Sequence, residues 1–241
     1  MDWLAYEWMH SGWSRKSLIR RIVCSSTYRQ SSVSPESMTR DPNNALLGRQ
    51  TRFRLDGESV RDAILDTAGV LAGGLGGPSY RISGDGNETY LDWEPAVLTP
   101  KESGMYRRGI YIAVTRTIPD PMLATFDSPD GATVCPIRQR TNTPIQALTL
   151  MNDPIFVDAA RALARRYSSG GVETVSQRLR DLWLHCLGRV PSEIELQVLR
   201  ELYDRVELEN RQKNRGAIDN DHIWFVLTRT VLNLDEIVTR P

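Results

Sequence analysis

The sequence predicts a mainly α protein, an irregular helical domain with a small β hairpin or strand element around residues 80–115, and three observations carry that reading. Apolar residues recur at the helical period through residues 1–72 and again through 143–241. One stretch reads as a strand, "RRGIYIAVTRT" at 107–117, where Ile110, Ile112 and Val114 alternate with Tyr111, Ala113 and Thr115. Helix-start patterns, in which Ser, Thr or Asp stands just before Pro or three residues before Glu or Gln, precede several of the periodic runs. A chain of 241 residues, 40% hydrophobic and 25% charged, is long enough to bury a real core. It reads as a single mainly helical domain: N-terminal helices over 1–72, a loop and small β region over 73–142, and C-terminal helices over 143–241.

Leu4, Trp8 and Met9 share one face of the first helix, and Gly12 stops it. Ser14 caps a second helix whose apolar stripe is Leu18, Ile19, Ile22 and Val23, with its arginines facing outward. Asp41 before Pro42 predicts another cap followed by a first-turn proline. Asp56 is placed to cap a helix that buries Val60, Ile64, Leu65 and Ala68. Gly, Pro and Ser then cluster over 73–105, where "SGDGNETYLDW" reads as a turn between two short extended pieces. Trp93 in that loop is a candidate stacking platform for a sugar ring. The strand at 107–117 is followed by a long loop over 119–140, and loops of that length are functional or floppy. Helices are predicted at 144–151, 154–167, 172–187, 192–211 and about 220–237. Ser192 and Glu195 form a capping box ahead of a face made by Ile194, Val198, Leu199, Leu202 and Val206.

Composition excludes several classes. The formal net charge is zero, so no global field recruits nucleic acid or an anionic membrane. No apolar run reaches transmembrane length. The first residues carry an acid at position 2 and polar breaks, so they are not a signal peptide. No CxxCH occurs, so this chain offers no haem attachment site, and His10, His185 and His222 are too scattered for a zinc signature. "AGGLGGPS" at 72–79 lacks the GK[ST] ending of a phosphate loop and follows a helix. Neighbouring His185 and Cys186 point about 100° apart on a helix and are poorly placed to act as base and nucleophile, so Cys186 is read as core.

The densest polar stretch that still carries helical periodicity is "CPIRQRTNTPIQALTLMNDP" at 135–154. Thr143, Pro144 and Gln146 fit the template of cap, first-turn proline and third-position amide, and Asp153 with Pro154 repeats the device. With Ser192, these are the predicted structural caps. Cys135, Arg138, Arg140 and Asn142 are left over, with Asp127 and Asp130 just upstream. Two readings stand. In one, Arg–Asp pairs tie the loop down, and Asp130 with Gly131 makes an ordinary turn. In the other, Asp127, Asp130, Arg138, Arg140 and Asn142 line a pocket for an anionic or polyol group near a helix N-terminus. Two arginines ahead of that positive helix end require an anion, whether Asp127 and Asp130 or a bound ligand. Cys135 is the one thiol with a reactive setting, because Arg138 would lower its pKa.

"SSTYRQSS" (25–32), "FRLDGESVRDAIL" (53–65), "FDSPDGATVCPIRQRTNTPIQALTLMNDPIF" (126–156), "LGRVPSEIEL" (187–196) and "LNLDEIVTR" (232–240) resemble the planctomycete-type domain of unknown function 1553, also called the planctomycete PSD-one domain. The resemblance covers almost the whole chain and is most specific from Phe126 to Pro154. It implies a bacterial, exported multidomain protein of the periplasm or cell envelope, with a second uncharacterised domain upstream and often a cytochrome-c-like segment nearer the N-terminus. Any haem is therefore expected only in upstream regions of the parent. The chain is expected to be a C-terminal piece whose Leu4, Trp8, Met9 and Trp13 meet the upstream domain. Two function classes follow: a non-catalytic binding or assembly module, or the substrate-facing part of an envelope enzyme acting on carbohydrate-like material. Asp127 and Asp130 could serve as acid and base in the second only if the fold set them on opposite sides of a substrate.

Overall fold

Side chains that accept hydrogen bonds start most of the helices in the computed structural model of the protein, which describes residues 1–80, 104–114, 119–169, 174–213 and 218–240. The fold is mainly helical, with eleven α-helices and one two-stranded antiparallel sheet among the described residues. The chain separates into two compact units, Met1–Arg54 with Thr239–Pro241, and Leu55–Val238.

The smaller unit holds α1 (Asp2–His10), α2 (Arg15–Val23), α3 (Pro35–Arg40), and β1 (Phe53–Arg54) paired with β2 (Thr239–Arg240). Ser14 caps α2 as its position predicts, accepting from the Ser17 amide at 3.3 Å. An Arg21–Glu7 ion pair ties α2 to α1, and Trp13 meets Trp8 edge-on at 5.0 Å. The helix expected from Asp41–Pro42 does not form. Its signature is realised one step earlier, where Ser34 and Pro35 open α3 and Asp41 becomes the residue that ends it. The Asp41 carboxylate instead accepts from the amides of Ala45 and Leu46, and Asn44 and Leu47 adopt positive φ, which no helix continues through. None of α1, α2 and α3 buries a residue.

The larger unit holds α4 (Gly57–Thr67), α5 (Pro121–Thr125), α6 (Pro144–Asn152), α7 (Pro154–Ser168), α8 (Val175–Leu187), α9 (Glu193–Lys213), α10 (Asn220–Leu232) and α11 (Asp235–Val238). Its core is centred on α7 and α10. Ala159, Ala160 and Ala164 keep one face of α7 thin, and Thr228 of α10 donates to the Ala160 carbonyl at 2.9 Å. Trp224, fully buried, stacks on Tyr167 at 5.8 Å and meets Tyr203 of α9 at 6.0 Å. Each fully buried Leu, Ile or Val in this cluster contributes roughly 1.5–3 kcal/mol. Val60, Ile64 and Leu65 of α4 join it as expected, with Ala68 packed against it.

Four expectations are corrected. Over its described residues, 107–114, the predicted strand does not form: Gly109–Tyr111 is a 3-10 turn, because the Tyr111 and Ile112 amides bond back to Arg108 and Gly109. Among the described residues two isolated parallel bridges form there, Ala72 with Arg107 and Tyr80 with Ile112. The long loop after it contains α5, opened by Asp120 and Pro121. The last predicted helix splits at Asn233–Leu234 into α10 and α11. On α9 the buried face is Leu199, Tyr203, Val206 and Asn210, and Ile194 and Val198 point to solvent. Trp93 and most of the "SGDGNETYLDW" turn lie outside the described residues.

Candidate functional site

The loop from Asp127 to Asn142 begins where α5 ends. Phe126 closes the helix, Asp127 takes φ 60°, and the Ser128 amide returns to the Leu123 carbonyl at 3.0 Å. This is the left-handed C-terminal cap usually given to Gly or Asn, so Asp127 has a structural reason for its backbone strain. Its carboxylate then crosses to the far end of the loop, accepting from the Thr141 amide at 2.7 Å and the Thr141 hydroxyl at 2.8 Å. The segment between residues fourteen positions apart is thus drawn shut at a neck, the geometry of an Ω-loop.

Thr143 caps α6, accepting from the Gln146 amide at 3.4 Å. Gln146 does not complete a capping box. Its side chain is buried and its Nε2 donates to the Thr125 carbonyl at 3.0 Å and the Thr141 hydroxyl at 3.1 Å, binding α6 to α5 and to the neck. Asp153 ends α6 and caps α7 by accepting from the Ile155 amide at 3.0 Å. Burial pushes its carboxyl above the usual aspartate range, and Asp120 adds to that push. Ser192 and Glu195 make the reciprocal capping box as predicted, at 3.3 and 2.7 Å.

The structure pairs the loop arginines with carboxylates, but not with Asp127 and Asp130. Arg138 Nη1 donates to Glu58 Oε2 at 2.8 Å and Arg140 Nε to Asp56 Oδ1 at 3.4 Å, at the start of α4. The Glu58 hydrogen bond holds the Arg138 guanidinium above its ordinary pKa. Asp56 and Glu58 also explain how two cations are tolerated here: the positive end of α4 already favours acids, and the acids then bind the arginines. Asp56 stands at the N-cap of α4 yet makes no side-chain cap bond. Asp130 accepts from the Ala132 amide at 2.9 Å in a local turn closed by Gly131 at φ +70°. Asn142 is exposed, and Cys135 is exposed with its thiol 3.4 Å from the Ile137 carbonyl. Asp127 and Asp130 therefore do not face each other across a shared opening. His185 Nε2 lies 2.8 Å from the Thr67 carbonyl, and burial pushes the Cys186 thiol up to about 12.

Asp56, Glu58 and Thr141 were not legible as partners. Asp56 and Glu58 lie 84 and 80 residues from the arginines that they bind, and no local pattern encodes that distance. The one available signal was the shared spacing, acid-x-acid against Arg-x-Arg. Arg61 was missed as well. It is fully buried in α4, where it donates to the carbonyls of Met105 and Arg107. Among the described residues, no group of three or more His, Cys, Asp or Glu side chains is placed to hold a metal ion, and no helix is long and apolar enough to cross a membrane.

What these residues define is a helical domain built around a side-chain-tied Ω-loop that leads into a doubly capped helix pair. The chain belongs to the PSD1 family, a protein of unknown function (DUF1553), whose family model matches residues 1–203 and so contains the whole loop, its neck and both acids of α4. No curated protein and no solved structure matches the chain.

Proposed function

We propose that this chain is a non-catalytic binding or assembly module of a larger exported multidomain protein, docking through its small helical unit. The observation that carries the reading is the exposed apolar surface of that unit. Trp3, Tyr6, Met9 and Trp13 are 67, 53, 47 and 60% exposed, and Ile19, Ile22, Val23 and Tyr28 are exposed as well. Among the described residues of Met1–Arg54, Ser32 alone is buried. Amphipathic helices with no fully buried residue are the form a segment takes when its apolar face belongs to an interface. The partner is another domain of the parent protein, placed with it in the periplasm or cell envelope. Any haem sits in that other part, because this chain has no CxxCH.

The carbohydrate-directed alternative draws less support. Asp127 is spent on Thr141, Asp130 on its own turn, and both arginines on acids of α4, so Asp127 and Asp130 are not set as a carboxylate pair for acid–base work. The test compares this chain with its full-length parent for binding of an apolar-surface dye. The isolated chain should bind several-fold more dye, and Trp3→Ser with Trp13→Ser should remove most of the difference. Equal dye binding by chain and parent overturns the proposal.

A further inference from the structure

The long helix α9 turns two different faces outward and inward. Leu199, Tyr203, Val206 and Asn210 point into the core of the larger unit. Ile194, Val198, Glu201, Arg205, Leu208 and Gln212 are all exposed, and their mean direction around the helix lies about 150° from that of the buried set. Their spacing alternates between four residues and three, which is the repeat of a coiled-coil seam. Ile194, Val198 and Leu208 are 75, 58 and 58% exposed. The charges in the middle of the seam are also unspent. Arg200 pairs with Asp204 at 3.3 Å and Arg211 with Glu207 at 3.1 Å, each one turn away on α9 itself. Arg205 makes no such pair among the described residues, although Glu201 stands one turn before it. Glu201 accepts only from the Gln197 side-chain amide, at 2.9 Å.

We propose that this face of α9 is a self-association surface, on which a second copy of the chain lays its own α9 in antiparallel orientation. The couples Ile194 with Gln212, Val198 with Leu208 and Glu201 with Arg205 are each centred on position 203. A two-fold axis at that level sets Val198 against Leu208 of the second copy and Glu201 against Arg205 of the second copy, and makes each contact twice. A parallel pair in register would set Glu201 against Glu201 and Arg205 against Arg205, so the charges select the antiparallel arrangement. The two Asp204 carboxylates come near one another across the axis, and each is already bonded to Arg200 of its own helix. Ile194, Val198 and Leu208 supply the affinity, and the central ion pairs fix orientation and register. The seam is narrow and half polar, so the dimer belongs among weak, reversible interfaces.

The test is sedimentation equilibrium of the intact chain up to about 100 μM, a range that reads weak association. A monomer–dimer equilibrium is expected. Glu201→Arg and Arg205→Glu each turn both attractive contacts into repulsions, and each should raise the dimer Kd roughly tenfold or more. Mixing the two variants restores both contacts and should restore association, as should one chain carrying both substitutions. Orientation is read by disulfide formation under mild oxidation in a chain carrying Cys24→Ser and Cys135→Ser. Val198→Cys mixed with Leu208→Cys should crosslink, whereas Val198→Cys alone should not, its two thiols being about 15 Å apart along the antiparallel pair. The proposal is overturned by a chain that stays monomeric throughout, or by failure of the folded charge variants to associate when mixed. Association unchanged in both single charge variants overturns it too, because the contact then lies on another surface such as the exposed side chains of the small unit. So does crosslinking of Val198→Cys with itself. If a charge variant does not fold, the cysteine mixture decides the matter.

Discussion

The two units use the same local grammar and reach opposite ends. In the smaller one, Ser14 and Ser34 cap α2 and α3, an ion pair links α1 to α2, and no helix buries a side chain. In the larger one, Thr143, Asp153, Thr174 and Asp219 cap α6, α7, α8 and α10, and each of these helices buries a face. The difference teaches that caps and amphipathic spacing specify a helix, while a core requires several apolar faces converging on one another. Unit Leu55–Val238 achieves this around Trp224. Within Met1–Arg54 no apolar side chain is buried: Leu4, Trp8 and Leu18 are half-buried, and Trp3, Tyr6, Met9 and Trp13 remain exposed.

The sharpest way to break that comparison is to remove one tryptophan from each unit. Trp224→Ala should cost roughly 3–5 kcal/mol in denaturant unfolding, since it deletes a fully buried ring that Tyr167, Tyr203 and the Arg178 guanidinium all contact. Trp13→Ala, at 60% exposure, should stay within about 0.5 kcal/mol. A comparable loss at Trp13 would mean that the small unit has a core of its own.

A smaller effect sharpens the account of what holds the larger unit. Arg189 donates to Glu195 at 2.6 and 2.9 Å and to Glu236 at 2.7 and 2.8 Å, joining the α8–α9 turn to α11. The Arg189 hydrogen bonds hold the Glu195 carboxyl down to about 2, from an ordinary 4.5. A lowered folded pKa means that the stabilisation is complete above the ordinary value and disappears as pH falls toward the lowered one. Acid unfolding of the intact chain should therefore show a loss between about 4.5 and 2 that Glu195→Gln removes. The side chains are 29 to 42% exposed, so screening keeps the effect modest. An unchanged acid limb in Glu195→Gln would remove Glu195 from the account.

The smallest perturbation is chemical labelling of the native thiols. Cys24 and Cys135 are exposed and should react promptly with a maleimide near neutral pH. Cys186, with its thiol pushed up to about 12 by burial, should react only as the larger unit opens. Prompt modification of all three would show that α8 is far less closed than its packing implies.

What the sequence by itself determined is everything that is decided within one or two helical turns. Ser14, Thr143, Asp153 and the Ser192–Glu195 box are legible because a helix start needs acceptors from its immediate neighbours, and those neighbours are adjacent in the chain. Mainly helical architecture follows from the same local rule, repeated. Only the tertiary structure decided which acids neutralise Arg138 and Arg140, which face of α9 is buried, and that residues 109–111 make a 3-10 turn. An arginine's charge demands a partner without naming it. Asp127 and Asp130 were nearest along the chain, but the turn at α5 spends Asp127 on Thr141 and the Asp130 turn closes on itself. The acids of α4 were then the ones that the fold brought within reach, because Gly57 and Gly109 let backbone approach so closely that a Cβ on either would come within 2.9 Å of Phe126 or Glu58.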